Sequence, residues 1–237
     1  MPIGYSQSPK LVKGALIRIA QDFLGPIPDI IVFQYNPHTL TRTLKPWGSP
    51  VQNQTVRGKA ENRAQPFDPI ETFQLALELD AADALEEPES HPVAVTHGVA
   101  DRIAALEMLL YPVDEDAPAQ SKLPVGGGSS IKRKAAPMVL FVWGPGRILP
   151  VRLTSFSVDE QAFLPTLQPM RATVTIGLGV LDDNYFETRR RASPHETLSS
   201  AESLALAAYK YTRGQKEALA RANLANDAES ILGLLRF

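Results

Sequence analysis

The sequence predicts a mainly β protein with some α: an antiparallel barrel or sandwich with one packed helix and a helical C-terminal tail. Three observations carry that prediction. Residues 71–79 and 170–181 alternate apolar and polar side chains, the mark of strands with one face in a core and one face wet. A single internal stretch, 97–111, changes to helical spacing. Beyond Asp183 the chain becomes rich in Ala, Leu, Glu, Lys and Arg, good helix formers.

In chain order, residues 10–20 read as a strand, because Leu16, Arg18 and Ala20 alternate with Ile17 and Ile19. Gly25, Pro26 and Pro28 supply turn chemistry. Asp29–Tyr35 is β-branched and aromatic, with Ile31, Phe33 and Tyr35 on one face, so the two runs form an antiparallel hairpin. Asn36-Pro37 ends it, since proline cannot donate to a ladder. A third strand is expected over Thr39–Leu44. Residues 45–66 then lose periodicity, and Arg42, Lys45, Arg57, Lys59 and Arg63 are opposed only by Glu61, with Trp47 among them. A loop this long is either a solvated connection or an arm toward a neighbouring subunit. On the second reading Arg42, Lys45, Trp47, Arg57, Lys59 and Arg63 are candidate subunit-interface residues that meet acidic segments such as 80–89. Deleting residues 48–62 is then expected to block assembly and leave the monomer folded.

In the run ETFQLALEL, Phe73, Leu75, Leu77 and Leu79 share one face. Asp80, Asp83, Glu86, Glu87 and Glu89 follow and read as a solvated connection. Val99, Ile103, Leu106 and Leu110 form the stripe of the internal helix, which Pro112 stops. Residues 112–136, with three consecutive glycines, are a flexible excursion. Strands are expected at Met138–Trp143, Ile148–Val158 and Met170–Leu181, and the glycines at 177 and 179 mark a bulge or a close backbone approach. The tail reads as two short helices broken near Thr212–Gly214. The domain organisation expected is a β domain over residues 1–183, with flexible loops at 45–66 and 112–136, and a helical extension over 184–237.

Composition narrows the chemistry. With no cysteine, disulfides, thiolate metal sites and cysteine nucleophiles are all absent. The four histidines, His38, His91, His97 and His195, have no metal-ligand spacing. Neither a nucleophile elbow nor a phosphate-binding loop occurs, and Gly144-Pro145-Gly146-Arg147 reads as a hairpin turn. Neither an enzyme nor a cofactor is expected. A net charge of -2 gives no global reason to expect nucleic acid, and Arg189–Arg191 reads as a solvated basic run. Apolar runs are too short for membrane insertion, and the N-terminal residues show no secretory signal.

The order of short elements adds a resemblance. Phe33-Gln34-Tyr35-Asn36-Pro37, Leu109-Leu110-Tyr111-Pro112, Phe141-Val142-Trp143-Gly144 and Pro169-Met170-Arg171-Ala172-Thr173-Val174 follow one another at this spacing. Over roughly residues 10–182 the chain resembles the tube-protein family of phage-tail-like contractile injection systems. Phe33, Tyr35, Asn36, Pro37, Trp143 and Arg171 are its candidate fold-signature residues. The resemblance implies a tube-like β-barrel that joins a ring, usually six-fold, between the spike and hub of the baseplate and the inner tube, as part of a cargo conduit. Its partners would be copies of itself, the spike or hub protein, inner tube proteins and other baseplate subunits. Assembly would take place in the cytoplasm, with release of particles on lysis. Many relatives continue into a LysM domain. The tail here shows no such pattern, so the resemblance is to a short form. The alternatives are a stand-alone β-sandwich binding carbohydrate or peptide, and a hydrolase with a dispersed site.

Overall fold

The computed structural model describes residues 12–19, 30–46, 68–112, 137–192 and 197–226. Its strands are β1 (Ala15–Ile19), β2 (Ile30–Val32), β3 (Leu40–Lys45), β4 (Ile70–Asp80), β5 (Met138–Val142), β6 (Ile148–Phe163) and β7 (Pro169–Val180). Its helices are α1 (Ala82–Glu86), α2 (Pro92–His97), α3 (Ala100–Glu107), α4 (Asp183–Ala192) and α5 (Ser200–Asn226). The strands form one antiparallel sheet in the order β2-β1-β5-β6-β7-β4-β3.

The expected barrel is not closed. β2 and β3 are the two edges of the sheet, and among the described residues no ladder joins them. The Gln34 carboxamide donates to the Asp80 carbonyl at 2.7 Å and accepts from the Asp80 amide at 3.0 Å, a side chain standing where a strand's peptide group would pair. Asn36 accepts from the Gly14 amide and donates to the Val12 carbonyl. These bonds fasten the β2–β3 connection to Val12, Gly14 and Asp80, and Pro37 within it has no donor of its own.

Alternation sets the core. Phe73, Leu75, Leu77 and Leu79 of β4 are buried, as are Ala172, Val174, Ile176 and Leu178 of β7. They pack with Leu16, Phe141, Val151 and the α3 residues Ile103 and Leu106. Burying a side chain such as Phe73 or Phe141 contributes ~1.5–3 kcal/mol. β5 is buried on both faces: Val139 and Phe141 enter this core, while Met138 and Leu140 join Phe186, Ala201, Ala205 and Leu206 of α4 and α5. That is why MVLFV reads as a continuous apolar run rather than an alternating one.

Five local expectations change. The acidic stretch after Asp80 contains α1 instead of a plain connection, and Asp80 Oδ1 accepts the Ala82 amide at its start. The helix expected over 97–111 is shorter, α3 over Ala100–Glu107, and a further short helix, α2, precedes it, the two being separated at Gly98. There φ is +59°, and an added Cβ would lie 2.0 Å from the Pro169 carbonyl oxygen, so only glycine fits. Leu109, not Leu110, completes the buried stripe with Val99, Ile103 and Leu106. β6 runs past Val158 to Phe163, because β7 continues to pair with it as far as Pro169. The tail is not broken at Thr212–Gly214. α5 runs through Gly214, since packing and polar anchors on both sides outweigh the ~1 kcal/mol propensity cost of glycine.

Candidate functional site

The candidate interface residues divide. Trp47, Arg57, Lys59 and Arg63 lie outside the described residues, as does most of the 45–66 loop. Lys45 ends edge strand β3 and is exposed. Arg42 is engaged inside the chain: its guanidinium Nε donates to Glu71, whose second oxygen accepts from Lys216 Nζ at 2.7 Å. Within the chain the partner of Arg42 is thus Glu71 and not the acidic stretch 80–89. Within the chain, Asp80 pairs with Arg171 at 2.7 Å.

The signature residues gather at one corner. Phe33 is buried against Trp143, with ring centroids 6.4 Å apart, and Trp143 stacks on Phe141 at 6.0 Å. Tyr35 Oη donates to Asp83 at 3.2 Å. Arg171 and Gln34 both hold Asp80, and Asn36 holds β1. These side chains tie the β2–β3 turn to β1 and β4.

A second polar cluster seats α5. Asp68 Oδ2 accepts from Tyr209 Oη and from Arg213, each at 2.8 Å, while Glu71 accepts from Lys216. Burial, and then the hydrogen bond and charge of Asp68, push the Tyr209 phenol well above its ordinary range. Burial also raises the Asp182 carboxyl, which accepts the Tyr185 amide at the start of α4. Sequence reading passed over Glu71, although its parity with Phe73 and Leu75 places it on the apolar face. A carboxylate on that face must be paired.

Among the described residues, three surfaces are open to other molecules. The first is the outward face of the sheet. Thr41 and Thr43 on β3, Thr72, Gln74, Ala76 and Glu78 on β4, and Thr173 and Thr175 on β7 point away from the core. Ser155, Ser157 and Asp159 continue that face on β6 past a bulge between Leu153 and Ser155. Gly177 lies opposite this bulge, where a Cβ would meet Ser155 Oγ at 2.3 Å. Small hydroxylated side chains thus cover four strands. The second surface is the β6 edge. β5 pairs only with Ile148–Val151, so the rest of β6 has no partner on that side among the described residues. The third is the tip of the β6–β7 hairpin, where Phe163 is 52% and Leu167 81% exposed.

Two clefts flank the β2–β3 turn. One, of about 410 Å³, is lined by Ile30, Val32, Leu77, Leu79, Ala105 and Leu106, with Lys13, Asp101 and Arg102 also in its wall. The other brings Tyr35 and His38 near Glu78, but Gln34, Tyr35 and Asn36 there already spend polar atoms on internal bonds. No described helix is long and apolar enough to cross a membrane.

The chain matches no protein-family model, and no curated protein sequence matches it significantly.

Proposed function

We propose that this chain is a structural, ring-forming subunit of a phage-tail-like contractile injection particle, joining the spike and hub of the baseplate to the inner tube. The observation that carries the reading is the outward Thr/Ser face, which runs across four strands of a sheet whose other face is core. A hydrated wall of small hydroxylated side chains offers no apolar grip to a passing cargo. The open sheet supports the same reading. Among the described residues the outer side of β3 and the part of β6 beyond β5 have no ladder partner, and joining such edges of successive copies head to tail closes a ring. The tube-like barrel is on this reading completed between copies rather than within one.

A carbohydrate- or peptide-binding module would instead need a cleft with free converging polar groups. The cleft beside Tyr35 has most of its polar groups engaged internally.

The test is cryo-electron microscopy of particles from the source cell or the reconstituted gene cluster. A ring of this chain between spike and tube, with Thr175 and Ser157 facing the lumen, is the expected density. Complete particles without the chain overturn the proposal.

A further inference from the structure

Two unsatisfied features of the same chain are complementary. The β6–β7 hairpin extends past the β5 pairing and ends in an apolar tip, with Phe163 and Leu167 exposed. Ala162 and Leu167 hold φ at +46° and +63°, conformations that cost non-glycine residues free energy. The tip is nevertheless firmly built: the Leu164 amide donates to the Gln168 carbonyl and the Leu167 amide to the Leu164 carbonyl, each at 2.8 Å. A rigid turn that presents two large apolar side chains to water has a shape suited to insertion.

The cleft between β2 and α3 has a matching interior. Its floor is aliphatic with a charged rim, and Ile30 and Val32 in its wall are 52% and 55% exposed. Its volume of about 410 Å³ falls within the ~300–1,000 Å³ of clefts that take a compact apolar group. Charge agrees with shape. Lys13 and Arg102 outnumber Asp101 in the cleft wall, and the exposed Glu160 lies on β6 just before the tip.

We infer that the hairpin tip of one copy seats in the β2–α3 cleft of the next, with Phe163 and Leu167 inside and Glu160 against Lys13 and Arg102. The contact uses different patches on the two partners, so it is heterologous, and repetition about an axis generates a ring. It rests on the ring reading above and specifies which surfaces make the joint.

The chain contains no cysteine, so introduced cysteines report contacts cleanly. Leu167→Cys and Ala105→Cys are made in separate, differently tagged full-length chains, mixed and mildly oxidised. A disulfide needs Cα atoms within ~7 Å. The expected product is a disulfide between the two tags, formed in the mixture and not by either variant alone. Leu167→Asp in otherwise native chain is expected to abolish association by light scattering while leaving the far-ultraviolet circular dichroism unchanged. Absence of the mixed disulfide, or self-linkage of Leu167→Cys to the same extent, overturns the joint. Rings that form without it overturn the joint and leave the ring reading standing. A mixed disulfide in chains that build only open filaments keeps the joint and overturns the ring.

Discussion

The Thr212 hydroxyl accepts from the Ile148 amide at 2.9 Å and donates to the Ile148 carbonyl at 2.7 Å, so a helix side chain fills a pairing position on β6. Thr212 is 1% exposed, and water does not replace it. Thr212→Val keeps the shape and strands both backbone groups. It is expected to cost ~1–3 kcal/mol in urea unfolding, with Thr212→Ser recovering much of the loss.

Gly98→Ala places a methyl on the Pro169 carbonyl and forces an L residue to positive φ. The substitution moves α3 away from the start of β7 or strains both. A loss of ~1–3 kcal/mol is expected, read as a lower thermal midpoint. Gly214→Ala meets nothing within 4 Å and sits inside α5, so it is expected to stabilise by ~1 kcal/mol.

Glu71 is 5% exposed and links β3, β4 and α5 through Arg42 and Lys216. Glu71→Gln removes the charge and leaves two cations facing a neutral amide. Because both cations keep partial solvent contact, the expected cost is ~1–3 kcal/mol rather than that of a fully buried pair. Chemical denaturation at low and high salt checks it, and the wild-type advantage is expected to shrink only slightly with salt.

The raised Tyr209 phenol gives stability a pH dependence of known sign. The folded state holds the proton more tightly than the unfolded state, whose phenol ionises near pH ~10. The stabilisation is therefore full below that pH and falls as pH rises above it. Tyr209→Phe loses the bond to Asp68 and costs ~1 kcal/mol at neutral pH. Its alkaline limb is expected to be flatter than that of wild type when thermal midpoints are compared across pH 10.

What could be read in advance was whatever one element's own pattern encodes. The alternation of Phe73 to Leu79 and of Ala172 to Leu178 gave the buried faces of β4 and β7 directly. Expectations failed where a distant residue decides the outcome. Gly98 delays the start of the expected helix because Pro169 lies against it, and Gly214 fails to break one because Thr212 and Lys216 are fastened to Ile148 and Glu71. Arg42 read as a free cation until Glu71, 29 residues away, met it. The strand order was equally invisible, since β1 pairs with β5 across more than a hundred residues. The corner formed by Phe33, Asn36, Trp143 and Arg171 was legible as a set of residue types, but not as the turn-locking contacts those residues make.

The Gln34 carboxamide on Asp80 also has a mechanical meaning. A ladder rung yields only when its strand is peeled away, whereas a side-chain fastening is released by rotation about single bonds. The body therefore carries a clasp at the mouth of its open sheet. Load applied there is expected to release Gln34 with the strand registers intact, so that the clasp can re-form without the strands having to find each other again.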